Sequence, residues 1–283
     1  MTAAVRTWLC DRPDDTLSRQ IERVARQSDV TAVAVMPDVH QGRDVPNGVV
    51  VATRRIVYPD LVGADIGCGI AALRFRACVD DLRADVLPLV LERLPRAVPT
   101  LKQPPPRAER HRAAVEAVGP LSSPRLAAAA AREGAYQLGT LGRGNHFLEL
   151  ARDEAGLLWA VVHSGSRAMG QEITAHHLGR VVAAGGDVAP ADALPGLDTD
   201  TEGGQAYFAD MEWACRYAAA NRVAILNAVA DVVETAAGVD VDPDSFVDSP
   251  HNTATRQDDG GGTAIVHRKS ANHADAGLSL IHI

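Results

Sequence analysis

The chain has 283 residues, of which 46% are hydrophobic and 23% charged, and its formal net charge is −8. This length and composition predict a globular protein with a packed core. The acidic balance argues against a protein that coats nucleic acid through a broad basic face, because such binding grows with the number of phosphates neutralised by lysine and arginine. Any contact with nucleic acid is therefore expected to be local.

No stretch approaches the roughly 18 consecutive apolar residues of a transmembrane helix. Met1–Cys10 also lacks the basic start and the cleavage site of a signal peptide. The sequence therefore predicts a cytoplasmic protein with no membrane partner. The cysteines are widely spaced and form no CxxC pair, so a disulfide scaffold is not expected. They are Cys10, Cys68, Cys78 and Cys215.

The N-terminal region predicts a short amphipathic helix followed by two strands. Apolar residues from Leu17 to Val24 recur at the spacing of one helix face within Thr16–Ser28, behind a cap at Asp15 or Thr16. Two β-rich runs then predict a buried pair of strands with a polar connecting loop. These runs are Thr31–Met36 and Val49–Val51.

A helical insertion is predicted over about residues 77–135. From Ala77 to Arg132 the chain is rich in Ala, Arg, Leu and Pro, and prolines divide the region into two helical segments. The dividing prolines are Pro95, Pro99 and Pro104–Pro106.

The remaining elements complete an α+β fold, with a β-sheet core and flanking helices in a single domain over residues 1–283. One helix is long and rich in alanine, and we expect it to pack against the sheet. In chain order the elements are strands in Leu138–Leu150 and Leu157–Val162, the helix Gly203–Ala237, a turn at Asp258–Gly262 and a strand at Thr263–His267.

The segment Asp65-Ile66-Gly67-Cys68-Gly69 is the first candidate for chemistry. Asp65 and Cys68 are three residues apart on a glycine-flanked turn, where both side chains can face one ion. The alternative is that Cys68 is a small buried hydrophobic residue.

Three histidines, His146, His163 and His251, lie at the edges of apolar runs. Each one alone fits a core or surface histidine as well as a ligand. Together with Asp65 and Cys68 they supply five donors of the types that a two-ion site needs. Thiolate and imidazole suit zinc better than manganese, and the donor types leave the metal open.

The turn Ser164-Gly165-Ser166-Arg167 offers backbone N–H groups, hydroxyls and a guanidinium to a phosphate, before a helix predicted from Gln171. The alternative is a capped helix start with Arg167 in a structural ion pair. His267-Arg268-Lys269 is either a second phosphate clamp or a solvated strand end. The chain has no Walker A sequence and no strand-coupled GxGxxG.

Seven segments carry most of these polar residues in a fixed order. They are Met36–Gly42, Val62–Gly69, Leu138–Glu149, His163–Arg167, Asp210–Met211 with Trp213–Arg222, Pro250–Asn252 and His267–Lys269. In these residues and in this order, the chain resembles the RtcB family of RNA-splicing ligases. The resemblance extends from near the N-terminus to the last residues and implies the RtcB fold.

The resemblance implies a centre of two manganese ions that Cys68 bridges. Asp65 and His146 would complete the protein ligands of one ion, and His163 and His251 those of the other. Other residues would have roles in nucleotide and RNA binding. Asn145 and Asn252 would lie near the phosphates of GTP, Glu149 near its base and Arg167 at the RNA terminal phosphate, while Asp38 would orient the histidine that accepts the nucleotide.

The implied activity is GTP- and manganese-dependent joining of an RNA 3'-phosphate or 2',3'-cyclic phosphate end to a 5'-hydroxyl end. Its implied substrates are tRNA-like or cleaved RNAs, in tRNA splicing or RNA repair. Two alternatives remain: a non-catalytic metal- and nucleotide-binding module that caps RNA ends or associates with a translation-rescue factor, and a metal-dependent phosphoesterase that needs no GTP.

The sequence also departs from the family pattern. Family members continue past the region of His267–Lys269 to a Pro-Gly-Ser turn, the nucleotide-accepting histidine and a late lysine. The sequence ends at Ile283, and Ser270 stands where the family has glycine. The resemblance therefore predicts an incomplete ligase domain that binds manganese but neither accepts guanylate nor seals RNA, with Leu280–Ile283 as a non-native tail.

Overall fold

The computed structural model describes residues 3–183, 192–258 and 260–273. The predicted turn at 258–262 includes residue 259, and the predicted tail 280–283 lies wholly beyond residue 273, so both predictions fall at least partly outside the described residues. The chain divides into two compact units, and the prediction of a single domain remains a prediction. The first unit comprises Met1–Ile66, Gly170–Glu212 and His251–Ile283, and the second comprises Gly67–Met169 and Trp213–Pro250.

The fold mixes helices and strands, which confirms the α+β class. The helices are α1 (Asp15–Ala25), α2 (Val86–Ala97), α3 (Pro105–Ala117), α4 (Pro124–Ala129), α5 (Ala135–Gln137), α6 (Ala168–Ala183) and α7 (Glu202–Ala237). The strands are β1 (Ala4–Thr7), β2 (Val30–His40), β3 (Asn47–Thr53), β4 (Ile56–Val57), β5 (Gly69–Cys78), β6 (Phe147–Arg152), β7 (Leu157–Ser164), β8 (Leu197–Asp198), β9 (Val241–Pro250), β10 (Asn252–Asp258) and β11 (Thr263–Lys269). Within the described ranges, none of the helices has both the length and the apolar character needed to cross a membrane.

The first unit is built on a five-stranded sheet with the order β1-β2-β3-β11-β10. Strand β1 runs parallel to β2, and the other pairs are antiparallel. Helix α1 buries Leu17, Ile21 and Val24, as predicted. Its cap is Asp14 rather than Asp15, because the Asp14 carboxylate accepts a hydrogen bond from the N–H of Leu17 at 2.8 Å.

The second unit contains an antiparallel sheet with the order β6-β7-β5-β9. Phe75 of β5 and Val162 of β7 are fully buried and join one apolar cluster with Val229 and Val233 of α7. The long helix therefore packs against this sheet, as predicted. Because β5 and β7 are neighbours, the start of β5 lies beside the end of β7: Gly69 pairs with Ser164.

The predicted helical insertion contains α2, α3, α4 and α5. A five-residue π-helix at Ala130–Gly134 joins α4 to α5. Pro95 lies inside α2 instead of ending it. A proline here removes only the hydrogen bond to the carbonyl of Leu91, a residue that is 58% exposed, so water can replace the missing N–H. Pro105 occupies the first turn of α3, where no N–H is needed.

The predicted strand at 138–150 is wrong in its first half, since β6 begins at Phe147. The preceding residues form a loop in which Gly139, Gly142 and Gly144 have φ of +71°, +101° and +82°. These left-handed conformations are incompatible with a strand. The loop ends at His146.

Candidate metal centre

Cys68 lies in a turn where close packing requires a glycine on either side. Gly67 has a φ of +71°, and a Cβ there would lie 2.8 Å from the Cα of Cys215. A Cβ on Gly69 would lie 2.6 Å from the Cα of Pro250. Contacts this short leave no space for side chains at either position. Cys68 itself is buried, with 3% exposure.

The thiol of Cys68 faces two imidazole rings. Its Sγ lies 3.1 Å from Nε2 of His163 and 3.3 Å from Nε2 of His146. The three ligand atoms all lie within 4.8 Å of one another. Sulfur and nitrogen ligands of one tetrahedral ion are separated by about 3.5 Å, given bond lengths of roughly 2.0–2.3 Å. The cluster could therefore hold a metal ion after small shifts, and its burial alone does not explain why three donors converge.

Both histidines have the hydrogen bonds that orient a metal-binding imidazole. Nδ1 of His146 lies 3.0 Å from the carbonyl oxygen of Leu141, and Nδ1 of His163 lies 3.0 Å from that of Asn145. A carbonyl oxygen only accepts hydrogen bonds, so each Nδ1 carries the ring proton. Each Nε2 then directs a lone pair towards Cys68, which is the tautomer that binds a metal.

Arg167 lies beside the cluster. Its Nη1 is 3.3 Å from Nδ1 of His146. Because that nitrogen already donates its proton to Leu141, both atoms bear hydrogens, and we treat the approach as a packing contact. The Nε of Arg167 donates to Oγ1 of Thr140 at 3.2 Å. A Cβ on Gly142 would overlap the guanidinium, so this glycine provides the space for it.

Two neighbouring residues in the middle of α7 hold the backbone around the cluster. Asn221, fully buried, accepts from the N–H groups of Gly139 and Thr140 through Oδ1, at 2.7 and 3.2 Å. Arg222 donates through Nη1 to the carbonyls of Gly67 and Ser164, at 2.7 and 2.9 Å. These bonds connect α7 to the turn of Cys68, to the end of β7 and to the loop that leads to His146. Sequence reasoning placed both residues in the family pattern but assigned them no role.

Several groups of the expected phosphate-binding turn form hydrogen bonds with other residues of the chain. Helix α6 begins at Ala168, three residues before the predicted start, and the N–H of Ala168 donates to Gln137 Oε1 at 3.0 Å. Ser164 Oγ donates to the carbonyl of Leu141 at 2.8 Å. The Oγ of Ser166 is buried and has no hydrogen-bond partner in the described residues. Phosphate binding by this turn remains a prediction.

Three other predicted site residues belong to the first unit: Asp65, His251 and Asn252. Asn252 links its neighbours, because its Nδ2 donates to the carbonyl of Asp65 at 3.1 Å and its Oδ1 accepts from the N–H of Ser270 at 2.9 Å. Ser270 has a φ of +53°, in the left-handed region that favours glycine. This conformation explains why a glycine suits that position in the family. The roles of all three residues as ligands remain predictions.

The segment His267-Arg268-Lys269 is not a solvated strand end, since His267 is 0% and Arg268 8% exposed. Nε2 of His267 accepts from the N–H of Tyr58 at 3.0 Å, and Nδ1 donates to the carbonyl of Val51 at 3.1 Å. Burial lowers the pKa of His267 to about 4, so the ring is neutral at physiological pH. His267 thus has a structural role between β3 and the segment after β4.

Lys269 has surroundings of its own, which the sequence pattern of the segment His267-Arg268-Lys269 did not indicate. Its Nζ would lie 3.0 Å from a Cβ on Gly63, whose φ is +88°. Burial lowers the pKa of Lys269, while the nearby carboxylate of Asp60 opposes this shift. Burial has the opposite effect on the carboxyl group of Asp60, whose pKa it raises. A lysine in such surroundings is a candidate for contact with an anion.

The three remaining predicted residues are Asp38 in β2, Asn145 before β6 and Glu149 within β6, and the side chains of Asp38 and Glu149 are exposed. Asn145 contributes its carbonyl to His163. For Asp38, the backbone carbonyl lies 3.0 Å from Nδ1 of His40. Their proposed contacts with nucleotide remain predictions.

Comparison with known proteins places these residues in a family. The chain matches the family model described as tRNA-splicing ligase RtcB over residues 20–120 and 106–282. It is 28% identical to the RNA-splicing ligase RtcB of Escherichia coli K12, over 97% of this chain and 73% of that protein. It is 30% identical to the RNA-splicing ligase RtcB of Mycobacterium bovis, over 87% of this chain and 69% of that protein. It is also 30% identical to the tRNA-splicing ligase RtcB of Archaeoglobus fulgidus, over 86% of this chain and 62% of that protein. With a matching family model over most of its length and a cluster that could hold a metal, the chain belongs to the RtcB family of RNA ligases.

Proposed function

We propose that Cys68, His146 and His163 are ligands of a manganese centre that supports RNA ligation. One observation carries the proposal: two imidazole Nε2 atoms converge on one thiol, and both Nδ1 protons are held by backbone carbonyls. A buried histidine that served packing alone would not need this shared orientation. The choice of manganese over zinc comes from the family resemblance, since the donor types themselves favour zinc.

On the same resemblance we propose Asp65 and His251 as further ligands, with Cys68 bridging two ions. Asp65 precedes Cys68 by three residues in the chain. When bound, two ions neutralise the charge that develops on phosphate oxygens. The protein's own contribution is to fix the two rings and the thiol before the metal binds, through the hydrogen bonds of Leu141 and Asn145.

The proposed reaction joins an RNA 3'-phosphate or 2',3'-cyclic phosphate end to a 5'-hydroxyl end and consumes one GTP. A cyclic phosphate is first opened by water to a 3'-phosphate. A histidine attacks the α-phosphate of GTP and pyrophosphate leaves. The RNA 3'-phosphate then takes GMP from the histidine, and the 5'-hydroxyl oxygen displaces GMP and forms the phosphodiester bond. We assign Asn145, Glu149 and Asn252 to the nucleotide, Arg167 to the RNA phosphate, and Asp38 to orientation of the nucleotide-accepting histidine.

Two other functions use the same centre. A module that binds metal and nucleotide without catalysis would cap RNA ends or join a translation-rescue factor. A phosphoesterase would release phosphate from RNA ends. The ligase is favoured because the chain belongs to a family of RNA ligases.

Metal counting tests the centre without relying on activity. The purified chain is stripped with a chelator, reloaded with manganese, and measured by elemental analysis and electron paramagnetic resonance. We expect Cys68→Ala to lose more manganese than His146→Ala or His163→Ala, because a bridging thiolate serves both ions. Cys78→Ala is the matched control and should bind as much as the parent, because Cys78 lies at the far end of β5. Equal manganese in Cys68→Ala and the parent would refute the bridging role.

Product analysis separates the three functions. RNA with a 3'-phosphate and RNA with a 5'-hydroxyl are incubated with the chain, manganese and GTP. A joined product supports the ligase, and release of phosphate in the absence of GTP supports the phosphoesterase. RNA binding without product fits both the non-catalytic module and a ligase domain that does not accept guanylate, and covalent labelling of the chain by radioactive GTP distinguishes an active ligase from both.

A further inference from the structure

The second unit contains a cavity of about 770 Å³ that none of the metal-centre residues lines. Its walls come from α2, from α3 and from one face of α7. On α3 the lining residues Arg107, Arg110, His111 and Ala114 follow helical spacing, so they share one face. A second cavity of about 450 Å³ adjoins it and shares Arg93 and Arg107 in its lining.

Four arginines surround these two cavities: Arg93, Arg96, Arg107 and Arg110. We call this surface the arginine groove. No carboxylate among the described residues forms an ion pair with any of the four, although Glu92 and Asp231 share the lining. The chain carries 36 acidic against 28 basic residues, so a cluster of arginines without acidic partners is not the expected arrangement. Unpaired guanidinium groups at a concave surface attract anions.

Arg107 is the member of the groove with a structural task. Its Nη1 donates to the carbonyls of Arg96 and Ala97 at the end of α2, at 3.2 and 2.7 Å. These bonds satisfy carbonyls that the helix leaves without partners. The other three arginines make no such bonds within the described part of the chain and are exposed, so their charges are available to a ligand.

The α7 wall, which we call the floor of the groove, carries small apolar side chains together with the polar Asn227, Asp231 and Thr235. Val223 of α7 is 39% exposed, and Ala224 and Ala228 line the same wall. Gly139 forms another part, where a Cβ would lie 3.0 Å from Nε2 of Gln103. The groove therefore combines arginines with small apolar side chains on its α7 wall. Nucleic-acid strands match this arrangement, because their phosphates and their base faces are adjacent.

His111 is a titratable residue in the lining of the groove. Its Nδ1 is buried and has no hydrogen-bond partner among the residues that the structure describes. Burial lowers the pKa of His111, and the nearby backbone groups of Leu138 and Ala135 oppose this shift. A volume of about 770 Å³ also falls within the usual size of ligand sites, roughly 300–1,000 Å³.

We propose that the arginine groove binds the phosphodiester backbone of single-stranded RNA, as a site additional to the metal centre. The choice of RNA rests on the membership of the chain in a family of RNA ligases. An acidic protein surface would satisfy the arginines as well, but it would leave the small apolar side chains of the floor and His111 without matching groups. The net charge of −8 argues against a broad basic face, so contacts with a strand are expected at local sites such as this groove.

The test measures binding of a fluorescently labelled 12-nucleotide RNA by anisotropy, in EDTA, at several salt concentrations. The groove variant is Arg93→Gln/Arg96→Gln/Arg110→Gln, which leaves Arg107 in place at the end of α2. The matched control is Arg83→Gln/Arg112→Gln/Arg132→Gln, which removes the same charge from exposed arginines that are paired with acidic residues. Circular dichroism verifies that both variants fold.

We expect the groove variant to bind RNA at least tenfold more weakly than the parent, and the control to differ less than twofold. The slope of log affinity against log salt should fall by about 2 in magnitude, at about 0.7 for each lost phosphate contact. A second variant, Val223→Asp, should weaken binding by placing a carboxylate on the floor. Equal losses in the groove variant and the control, or no loss in either, would overturn the proposal, as would GMP competing as well as the 12-nucleotide strand.

Failure of the groove and failure of the metal centre are distinguishable. EDTA removes any contribution of metal to RNA binding, and manganese content is counted separately. Groove variants should retain the manganese content of the parent. Loss of metal in Cys68→Ala with unchanged RNA binding in EDTA is the result expected if both proposals hold.

Discussion

Arg222 and Asp248 form an ion pair with two parallel bonds, Nε to Oδ1 at 2.5 Å and Nη2 to Oδ2 at 2.9 Å. This pairing fixes the plane of a guanidinium that is 1% exposed. The remaining nitrogen, Nη1, then points at the carbonyls of Gly67 and Ser164. Arg222 thus connects the residue before Cys68 with the residue after His163. The relation indicates a positioning role for Arg222.

The first prediction concerns that role. Arg222→Lys should lower manganese affinity roughly tenfold or more, because an ammonium cannot bond to Asp248 and to two carbonyls in fixed directions. Arg216→Lys is the control, since Arg216 lies on the same helix and donates to a single carbonyl of the described residues, that of Val118. Isothermal titration with manganese gives the affinities, and thermal unfolding shows whether the variants fold. An unchanged affinity in folded Arg222→Lys would contradict the role.

The second prediction concerns the turn of Cys68. Gly67→Ala should destabilise the protein by about 2 kcal/mol or more, through left-handed strain of about 1–2 kcal/mol and a clash with the backbone of Cys215. Gly238→Ala is the matched control, because Gly238 has a φ of +66° and a Cβ there would face open space within the described part of the chain. The difference between the two variants in urea unfolding isolates the clash. Equal destabilisation would mean that the turn has space to relax.

The third prediction concerns acid stability. His267 has a folded pKa of about 4 and an unfolded pKa of about 6.5, so between these values the unfolded chain binds a proton that the folded chain does not. The stability from this group is therefore present above about pH 6.5 and is lost as pH falls towards 4. The full loss is about 3 kcal/mol, at about 1.4 kcal/mol for each pH unit.

The variant His267→Gln isolates this contribution. Free energies of unfolding are measured in urea at several values between pH 7.5 and pH 4. The parent should lose more stability over this interval than the variant. The slope of its free energy of unfolding against pH should be steeper by up to about 1.4 kcal/mol per pH unit, which corresponds to the uptake of one proton. Asp60, whose raised pKa acts in the opposite direction, contributes equally to both proteins. Parallel pH profiles would show that His267 does not titrate as its burial implies.

Much of the fold followed from local patterns in the sequence. The apolar spacing of α1, the alanine-rich stretch of α7 and the valine-rich runs of β2 and β3 are properties of neighbouring residues. Each predicted an element of the correct type. The prediction of a strand at 138–146 is wrong because Leu138 and Leu141 resemble strand residues, whereas Gly142 leaves the space that the guanidinium of Arg167 occupies. Such a contact is invisible in a single sequence.

The candidate site was predictable in its residue types but not in its supports. Cys68, His146 and His163 stood out because thiol and imidazole are metal donors. Arg222 and Asn221 looked like ordinary polar residues of a long helix, since the groups they hold lie up to 155 positions away in the chain. The protons on the two imidazoles are likewise set by loop carbonyls, those of Leu141 and Asn145, which a sequence does not place beside the rings.

The last prediction concerns Arg167 and the RNA terminus. The guanidinium lies beside His146, and it is held there by Thr140 and by the space that Gly142 leaves. A guanidinium can form two charge-assisted bonds with a terminal phosphate, each worth about 1.5–3 kcal/mol. We therefore expect Arg167→Gln to reduce, by roughly tenfold or more, the preference of the chain for RNA ending in a 3'-phosphate over RNA ending in a 3'-hydroxyl.

Binding of the two RNAs is compared by anisotropy in the presence of manganese, so that the ratio of affinities reports the terminal phosphate alone. Arg143→Gln is the control, because Arg143 is exposed on the same loop and its removal changes the net charge equally. Both variants should bind the 3'-hydroxyl RNA with similar affinity, because the rest of the strand is unchanged. If Arg167→Gln retains the parent's ratio, the guanidinium serves only to pack against His146, and the terminal phosphate is recognised by another group.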